Sequence, residues 1–415
     1  TGGTEDVFDG DSNFSISMWV KGIPQQSGST LLSKKHFSPK DMNNLHLWLD
    51  ANDTATMDKG DYLGELGVPS DTNTIKYWGD KSGKGHNALW YKNTPSYEVD
   101  GMNSLPGIMF NNDFLYIENS ESGLVDGWSK FTLCTVIHCT STQSWRTWFG
   151  KVDASNETAS SSTWQLLQRR GDLNPPNFAF RLHGTSASSS HEFNTTHTPK
   201  LKNNPALLTL EFGNGYRKAW VNGYVLSSVA DTGTIQEKNA TLLTLGGAHN
   251  MGAYPQALFI SEFLIYNEAF SDADRQLIEG HLAHKWNIDG SLTSGHTYAS
   301  ADPIDSGWTI ERGSSTDKIS LDLAGAGGDL EVNAPVNDGN WHHLATTFGG
   351  GNKKIYLDGT EIATASQGGS VTDSVFDLVL GDPKNVSPNQ PKIDDVRFYR
   401  GVLSADEVSA LYNDG

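Results

Sequence analysis

Cysteine is almost absent from this chain: Cys134 and Cys139 are the only two among 415 residues. They fall within one apparent strand, FTLCTVIHC, at an odd spacing that turns them to opposite faces. A disulfide inside that strand is therefore not expected, and both read as buried thiols. Basic residues are also scarce, 30 Lys and Arg against 49 Asp and Glu, for a net charge of −19. Such a surface repels phosphate backbones and acidic headgroups, which argues against nucleic acid and anionic membranes as partners. No apolar run is long enough to span a bilayer, so direct membrane insertion is not expected, and no leader or lipidation motif is visible. The chain opens abruptly on TGGTED, as a monomeric piece cut from a larger multidomain chain would.

Long helical patterns are missing too. What fills the chain is short runs of Val, Thr, Ile and aromatic residues bounded by Gly, Asn, Asp and Ser, with 43 glycines in all. That punctuation predicts an all-β protein with more than one core. Two helices stand out. One covers Asp272–Trp286 with Ser271 as N-cap and Leu277, Ile278, Leu282 and Trp286 on one face. The other follows the capping box Ser404-Ala-Asp-Glu407. The Gly-rich stretch in KYWGDKSGKGHNA has no helix behind it and reads as a turn cluster, not a phosphate cradle.

Self-similarity is the strongest signal. FSISMWVKG at Phe14 resembles FTLCTVIHC at Phe131, about 117 residues later, whereas KKIYLDGTEI at Lys353 resembles RKAWVNGYVL at Arg217, about 136 residues earlier. FYRGVLSADE at Phe398 likewise matches IYNEAFSDAD at Ile265. Offsets of opposite sign imply that one copy is nested inside the other. The expected division is a split domain of residues 1–39 and 303–415 around an inserted domain of residues 40–302. Such an insertion is cheap when the guest's first and last strands are neighbours.

NWHHLATTF, IYLDGTEIA and KIDDVRFYRGVLSADEVSALY resemble laminin-G-like, concanavalin-A-like jelly rolls, and the inserted segment is similar to a second branch of that fold. The resemblance implies two β-sandwiches, the second inserted into a split first. The split arrangement also resembles the ligand-binding regions of large bacterial repeats-in-toxin adhesins. That likeness implies a non-catalytic lectin on the extracellular bacterial surface, binding cell-surface glycans, fucosylated ones among them, with calcium-stabilised loops. A glycan-degrading hydrolase or lyase, or a structural or protein-binding laminin-G-type module, are the other readings of the same fold.

Hydrolysis needs two carboxylates converging on the sugar, and the nearest candidates, Asp394 and Asp395, are adjacent and point to opposite faces of a strand. By the family likeness, Asp395 faces a calcium ion or a loop. His342 and His343 are expected to be structural, one packing and one bonding backbone, and His281 and His284 to lie on the helix surface.

Sugar recognition needs rings for stacking and planar amides, carboxylates and guanidinium forks for hydroxyl pairs. The inserted segment supplies Trp148, Trp164, Gln168, Arg170, Asn174, Arg181, His183, Asn250 and Tyr254; most tryptophans of a β-sandwich are core residues, which is the other reading of Trp148 and Trp164, and Arg170 and Arg181 serve equally as partners of surface carboxylates. For calcium, hard oxygen ligands come from Asp6, Asp9 and Asp11 near the N-terminus and from Asp50, Asp53 and Asp80 in the inserted segment; solvated turn acids are the other reading.

Overall fold

The computed structural model describes residues 13–414 apart from 23–29, 35–36, 59–68, 70–71, 73, 119–123, 141–143, 145, 153–161, 171, 188–189, 238–241, 248–256, 301–302, 304–306, 316, 325–328, 367–368, 372–377 and 382–390. Among the described residues, four β-sheets and two α-helices make up the regular structure, with a few single turns of 3₁₀ helix. The chain divides into two compact units: Thr1–Asp41 with Pro303–Gly415, and Met42–Asp302.

The split unit stacks two five-stranded sheets. From edge to edge the first runs Thr360–Ser366, Asn352–Leu357, His342–Gly349, Phe14–Lys21 and Lys392–Tyr399. The second runs Leu330–Asn333, Lys318–Leu323, Trp308–Arg312, Thr30–Ser33 and Val379–Leu380. The period-2 pattern of Phe14–Lys21 explains the core, because Phe14, Ile16, Met18 and Val20 all leave water together. Phe14 meets Trp308 of the facing sheet at 6.4 Å and Phe348 of its own at 5.6 Å between ring centroids. Helix α1, Asp272–Lys285, belongs to the other unit; α2, Ala405–Asn413, closes the outer face of the first sheet. Its Val408 packs with Ala345 and Tyr356, and Tyr412 stacks on Trp19 at 5.9 Å.

In the contiguous unit an eight-stranded sheet runs Ser190–Phe193, Asn177–Leu182, Ser162–Arg170, Arg146–Val152, Leu243–Leu245, Phe114–Ile117, Ala88–Lys92 and Tyr77–Trp78. The facing sheet runs Tyr224–Ala230, Tyr216–Val221, Pro205–Gly213, Phe131–Cys139, Leu258–Tyr266, Leu105–Phe110 and Ser96–Met102, and Leu45–Asp50 also pairs with Leu258–Tyr266. The unit's first strand and its last are thus hydrogen-bonded neighbours. Between the sheets, Phe131 contacts Trp164 and Phe180, and Phe149 contacts Phe263.

Helix α1, Asp272–Lys285, lies across the other face of the Phe131-bearing sheet. Ser271 accepts a hydrogen bond from the Asp274 amide as N-cap. The helix buries Ile278, Glu279, Gly280, His281, Leu282 and Ala283. His281 is therefore inside, against the expectation of a surface residue, because the covered stripe is wider than the apolar one and Glu279 carries part of it. His284 is half-buried and bonds the Tyr298 carbonyl through Nε2 at 2.9 Å. Cys134 and Cys139 are free and buried on opposite faces of their strand. Among the described residues no helix is long and apolar enough to cross a membrane.

Candidate functional site

The two sheets of the contiguous unit differ in what their outer faces carry. One is closed by α1 and a buried ionic network. Glu262 accepts the indole N–H groups of Trp48 at 2.7 Å and Trp286 at 2.6 Å, and the Lys285 ammonium at 2.7 Å. Glu279 accepts from Thr209 Oγ1 at 2.7 Å and pairs with Arg275. Every donor here points at a carboxylate, and the arrangement fastens the helix to the sheet.

Among the described residues no α-helix packs on the outer face of the eight-stranded sheet. Its register places one residue from each strand in a single row: Ser190, Arg181, Gln165, Gly150, Thr244, Tyr116, Leu89 and Tyr77. Neighbours in such a row sit about 4.8 Å apart and share one face. The parity follows from the core: Trp164, Leu166, Phe178, Phe180 and Leu182 turn inward, so Gln165, Asn177 and Arg181 must turn outward. Gly150 lies at the middle with φ +154°, and a Cβ there would stand 2.6 Å from the Gln165 Cα and the Trp164 carbonyl. Only glycine lets the two strands close at that point.

Polar groups converge at the Ser190 end of this row. Arg181 donates through Nε to Ser190 Oγ at 3.3 Å, and Arg169 forms an ion pair with Glu192. Asn177 Nδ2 donates to Glu192 Oε2 at 3.3 Å. Thr147 Oγ1 donates to Gln165 Oε1 at 3.0 Å. Arg181, Asn177, Arg169 and Ser190 are half-buried, Glu192 is exposed and Gln165 is 2% exposed. Two amide atoms on this face, Gln165 Nε2 and Asn177 Oδ1, are buried and have no hydrogen-bond partner. At the far end Tyr77 and Tyr116 are half-buried.

Only part of the set expected from the sequence meets here. Arg181 is on the face. Trp148 and Trp164 are fully buried, Trp148 edge-on to Phe178 at 5.0 Å and Trp164 against Phe131 at 5.8 Å, so neither presents a ring to a ligand. A bulge between Thr147 and Phe149 lets both Trp148 and Phe149 point into the core. Gln168 is also internal, with Cys139 Sγ 3.9 Å from its Oε1. Asn174 is exposed in the turn before Asn177–Leu182, and His183 is buried just after that strand. Arg170 pairs with Asn177 in register, and Asn250 and Tyr254 lie outside the described residues. Gln165, Thr147, Asn177 and Tyr116 were missed. The signal that finds Gln165 is its place one residue from a core tryptophan.

The carboxylates expected to hold calcium have other partners. Asp50 accepts from Lys81 and Lys285, each at 2.9 Å. Burial works against its ionisation, but the Lys285 and Lys81 ammonium groups override it and hold its carboxyl down at about 2. Asp53 pairs with Lys81 at 2.8 Å. Asp80 accepts from the amides of Trp48, Ser82 and His86 and from Ser82 Oγ, which folds the Gly-rich stretch into a turn. Ammonium and amide donors stand where a cation would, and the described residues hold no group of three or more metal-ligating side chains. Asp6, Asp9 and Asp11 lie outside the described residues.

In the split unit, His343 is buried and packs beside Trp19, with Nε2 2.9 Å from Ser17 Oγ. His342 does not bond backbone as expected; its ring bridges Asp358 at 2.8 Å and Asp338 at 3.0 Å. Asp395 pairs with Arg397 at 2.8 Å, and Asp394 accepts the Asp395 amide.

A family model described as the concanavalin A-like lectin/glucanases superfamily matches residues 287–409. Among curated proteins no sequence matches. Among solved structures, the receptor-binding domain of botulinum neurotoxin D is similar at 13% identity and TM-score 0.41, covering 84% of this chain and 100% of that one. The binding domain of Paraclostridial Mosquitocidal Protein 1 shares 13% identity at TM-score 0.40, over 86% and 98%. Domain 4 of AbnA, an extracellular arabinanase from Geobacillus stearothermophilus, determined with arabinotriose, shares 13% identity at TM-score 0.37, over 55% and 94%. Likenesses at this level carry no functional conclusion. The fold itself is all-β, of the concanavalin-A-like, laminin-G-like jelly-roll type.

Proposed function

We propose that this protein is a non-catalytic glycan-binding module in which the contiguous unit is the binder and the split unit its host. The observation that carries the reading is the polar cluster at the Ser190 end of this sheet, where the Arg181 guanidinium, the Asn177 amide, the Glu192 carboxylate and the Ser190 hydroxyl share one surface. Groups of this kind match the paired donors and acceptors of sugar hydroxyls. An adhesin on an extracellular bacterial surface, with cell-surface glycans as partners and fucosylated ones among them, fits the acidic, cysteine-poor composition. A calcium requirement belongs to the same proposal. With Asp50, Asp53 and Asp80 engaged elsewhere, it would fall to Asp6, Asp9 and Asp11.

A glycan array with and without chelator tests the reading. Binding is expected for the wild type and a loss of about tenfold or more for Arg181→Ala, the cost of one charge-assisted contact. Loss on chelation would support the calcium requirement; binding unchanged by chelator would remove it. An array blank over a wide range of structures with calcium present would overturn the lectin reading, and release of reducing sugar would replace it with a hydrolase.

A further inference from the structure

An edge strand presents unpaired backbone N–H and C=O groups, and proteins guard such edges with charged side chains or by keeping them short. Among the described residues the edges follow that rule with one exception. Glu361, Asp394, Glu192, Glu98 and Glu331 each place a charge on an edge strand, and the edges Tyr77–Trp78 and Val379–Leu380 are two residues long. Tyr224–Ala230, YVLSSVA, is an edge strand of seven residues without a charge. Val225 is 56% exposed, and Ser228 and Ala230 are exposed on the same strand.

In an antiparallel ladder a strand turns alternate N–H and C=O pairs to its neighbour. Tyr224–Ala230 directs one set at Tyr216–Val221, and the other set points away from the sheet, where the described residues place no strand. Such a row pairs best with a strand that is equally open and uncharged. The described chain offers one, the same strand of a second copy. A two-fold axis perpendicular to the sheet lays it antiparallel to itself, each residue facing one on the same side of the sheet. A register break between Ala219 and Trp220 sets Leu226 apart, so the regular part is Ser227–Ala230. With the axis at Ser228, Ser227 meets Val229 and Leu226 meets Ala230, so no charge meets a like charge. Lys218, opposite Ser228 on the next strand, then lies about 14 Å from its own copy, three inter-strand spacings away. That exceeds the screening length of about 8 Å at physiological salt. At the same end of the facing sheet the edge strand Ser190–Phe193 is short, and Arg169 pairs with its Glu192.

We infer that Tyr224–Ala230 is a self-association edge, through which two copies of this chain join their sheets into one across a two-fold axis at Ser228. The inference stands apart from the glycan-binding reading and departs from the monomer expected from the sequence. It also fixes the sign of the salt dependence. Two copies of net charge −19 repel at long range while the paired strands carry no charge, so added salt strengthens the pairing.

Sedimentation equilibrium of the full chain over a range of concentrations, at low and high salt, tests the pairing, with thermal melts in parallel. The wild type is expected to show a dimer whose share grows with concentration and with salt. Ser228→Lys sets two ammonium groups face to face at the axis and should sediment as a folded monomer. An equimolar mixture with Ser228→Glu should dimerise again, since opposite charges then face each other. Ala230→Lys, which buries an ammonium against Leu226 of the second copy, should weaken the dimer about tenfold or more. It carries the test if Ser228→Lys fails to fold. Val99→Lys, at a 47% exposed position on the already charged edge Ser96–Met102, should leave the dimer intact. A wild type that stays monomeric at every concentration would overturn the inference and leave the edge to a strand of another protein. A dimer that neither edge variant weakens, or one that salt dissociates, would place the interface elsewhere and overturn it equally.

Discussion

At the scale of single residues, side-chain direction decides what each residue can do. Trp164 and Gln165 are neighbours in sequence and sit on opposite sides of one sheet. Trp164 is fully buried against Phe131 and Phe149, so its ring contributes packing. Trp164→Ala is expected to cost about 3–5 kcal/mol, read as a large fall in the denaturation midpoint. A binding tryptophan on the surface would give the opposite pattern, lost affinity with the midpoint nearly unchanged. Gly150 is the other residue whose role is purely geometric, since any side chain there collides with Gln165.

At the scale of elements, α1 is held by two devices of different size. The Ser271 cap satisfies one backbone donor at the exposed start of the helix, and Ser271→Ala is expected to cost about 1 kcal/mol in urea unfolding. Glu262 is buried and collects two indole N–H groups and the Lys285 ammonium. Glu262→Ala leaves two buried indole N–H groups without an acceptor and removes one of the two carboxylates that Lys285 pairs with, so about 3–5 kcal/mol is expected to be lost in the same experiment. Equal effects for the two substitutions would show that the network does not anchor the helix.

At the scale of the whole molecule, buried acids set how stability varies with pH. Burial pushes the Glu211 carboxyl up to about 7 from its ordinary 4.5, against the pull of Lys218 and Arg275. A raised folded value means that the fold holds this proton more tightly than the unfolded chain. Its stabilisation is complete below pH 4.5 and is lost as pH rises through 7. Burial lowers proton affinity at His342, but Asp358 and Asp338 outweigh it and raise the value, so its contribution likewise fades as pH climbs above 6.5. Asp50 acts with the opposite sign: its contribution is present above 3.8 and is lost as pH falls through about 2. Thermal melts between pH 4.5 and 7.5 should therefore show falling stability that flattens in Glu211→Gln. A wild-type profile as flat as the variant's would show that Glu211 ionises normally in the fold.

The sequence by itself determined the all-β class, the two capped helices, the buried cysteines and most strand positions, because these rest on local rules: period-2 alternation, turn residues and capping side chains. Only the tertiary structure decided which face of each strand meets water. The bulge beside Trp148 cannot be read from alternation, and it sends two consecutive aromatics inward. Nor can sequence spacing show that Lys285, more than two hundred residues from Asp50, supplies the charge that Asp50 needs. The candidate face follows from the same cause. Gln165, Arg181 and Ser190 belong to three strands, and only the register of the folded sheet sets them side by side.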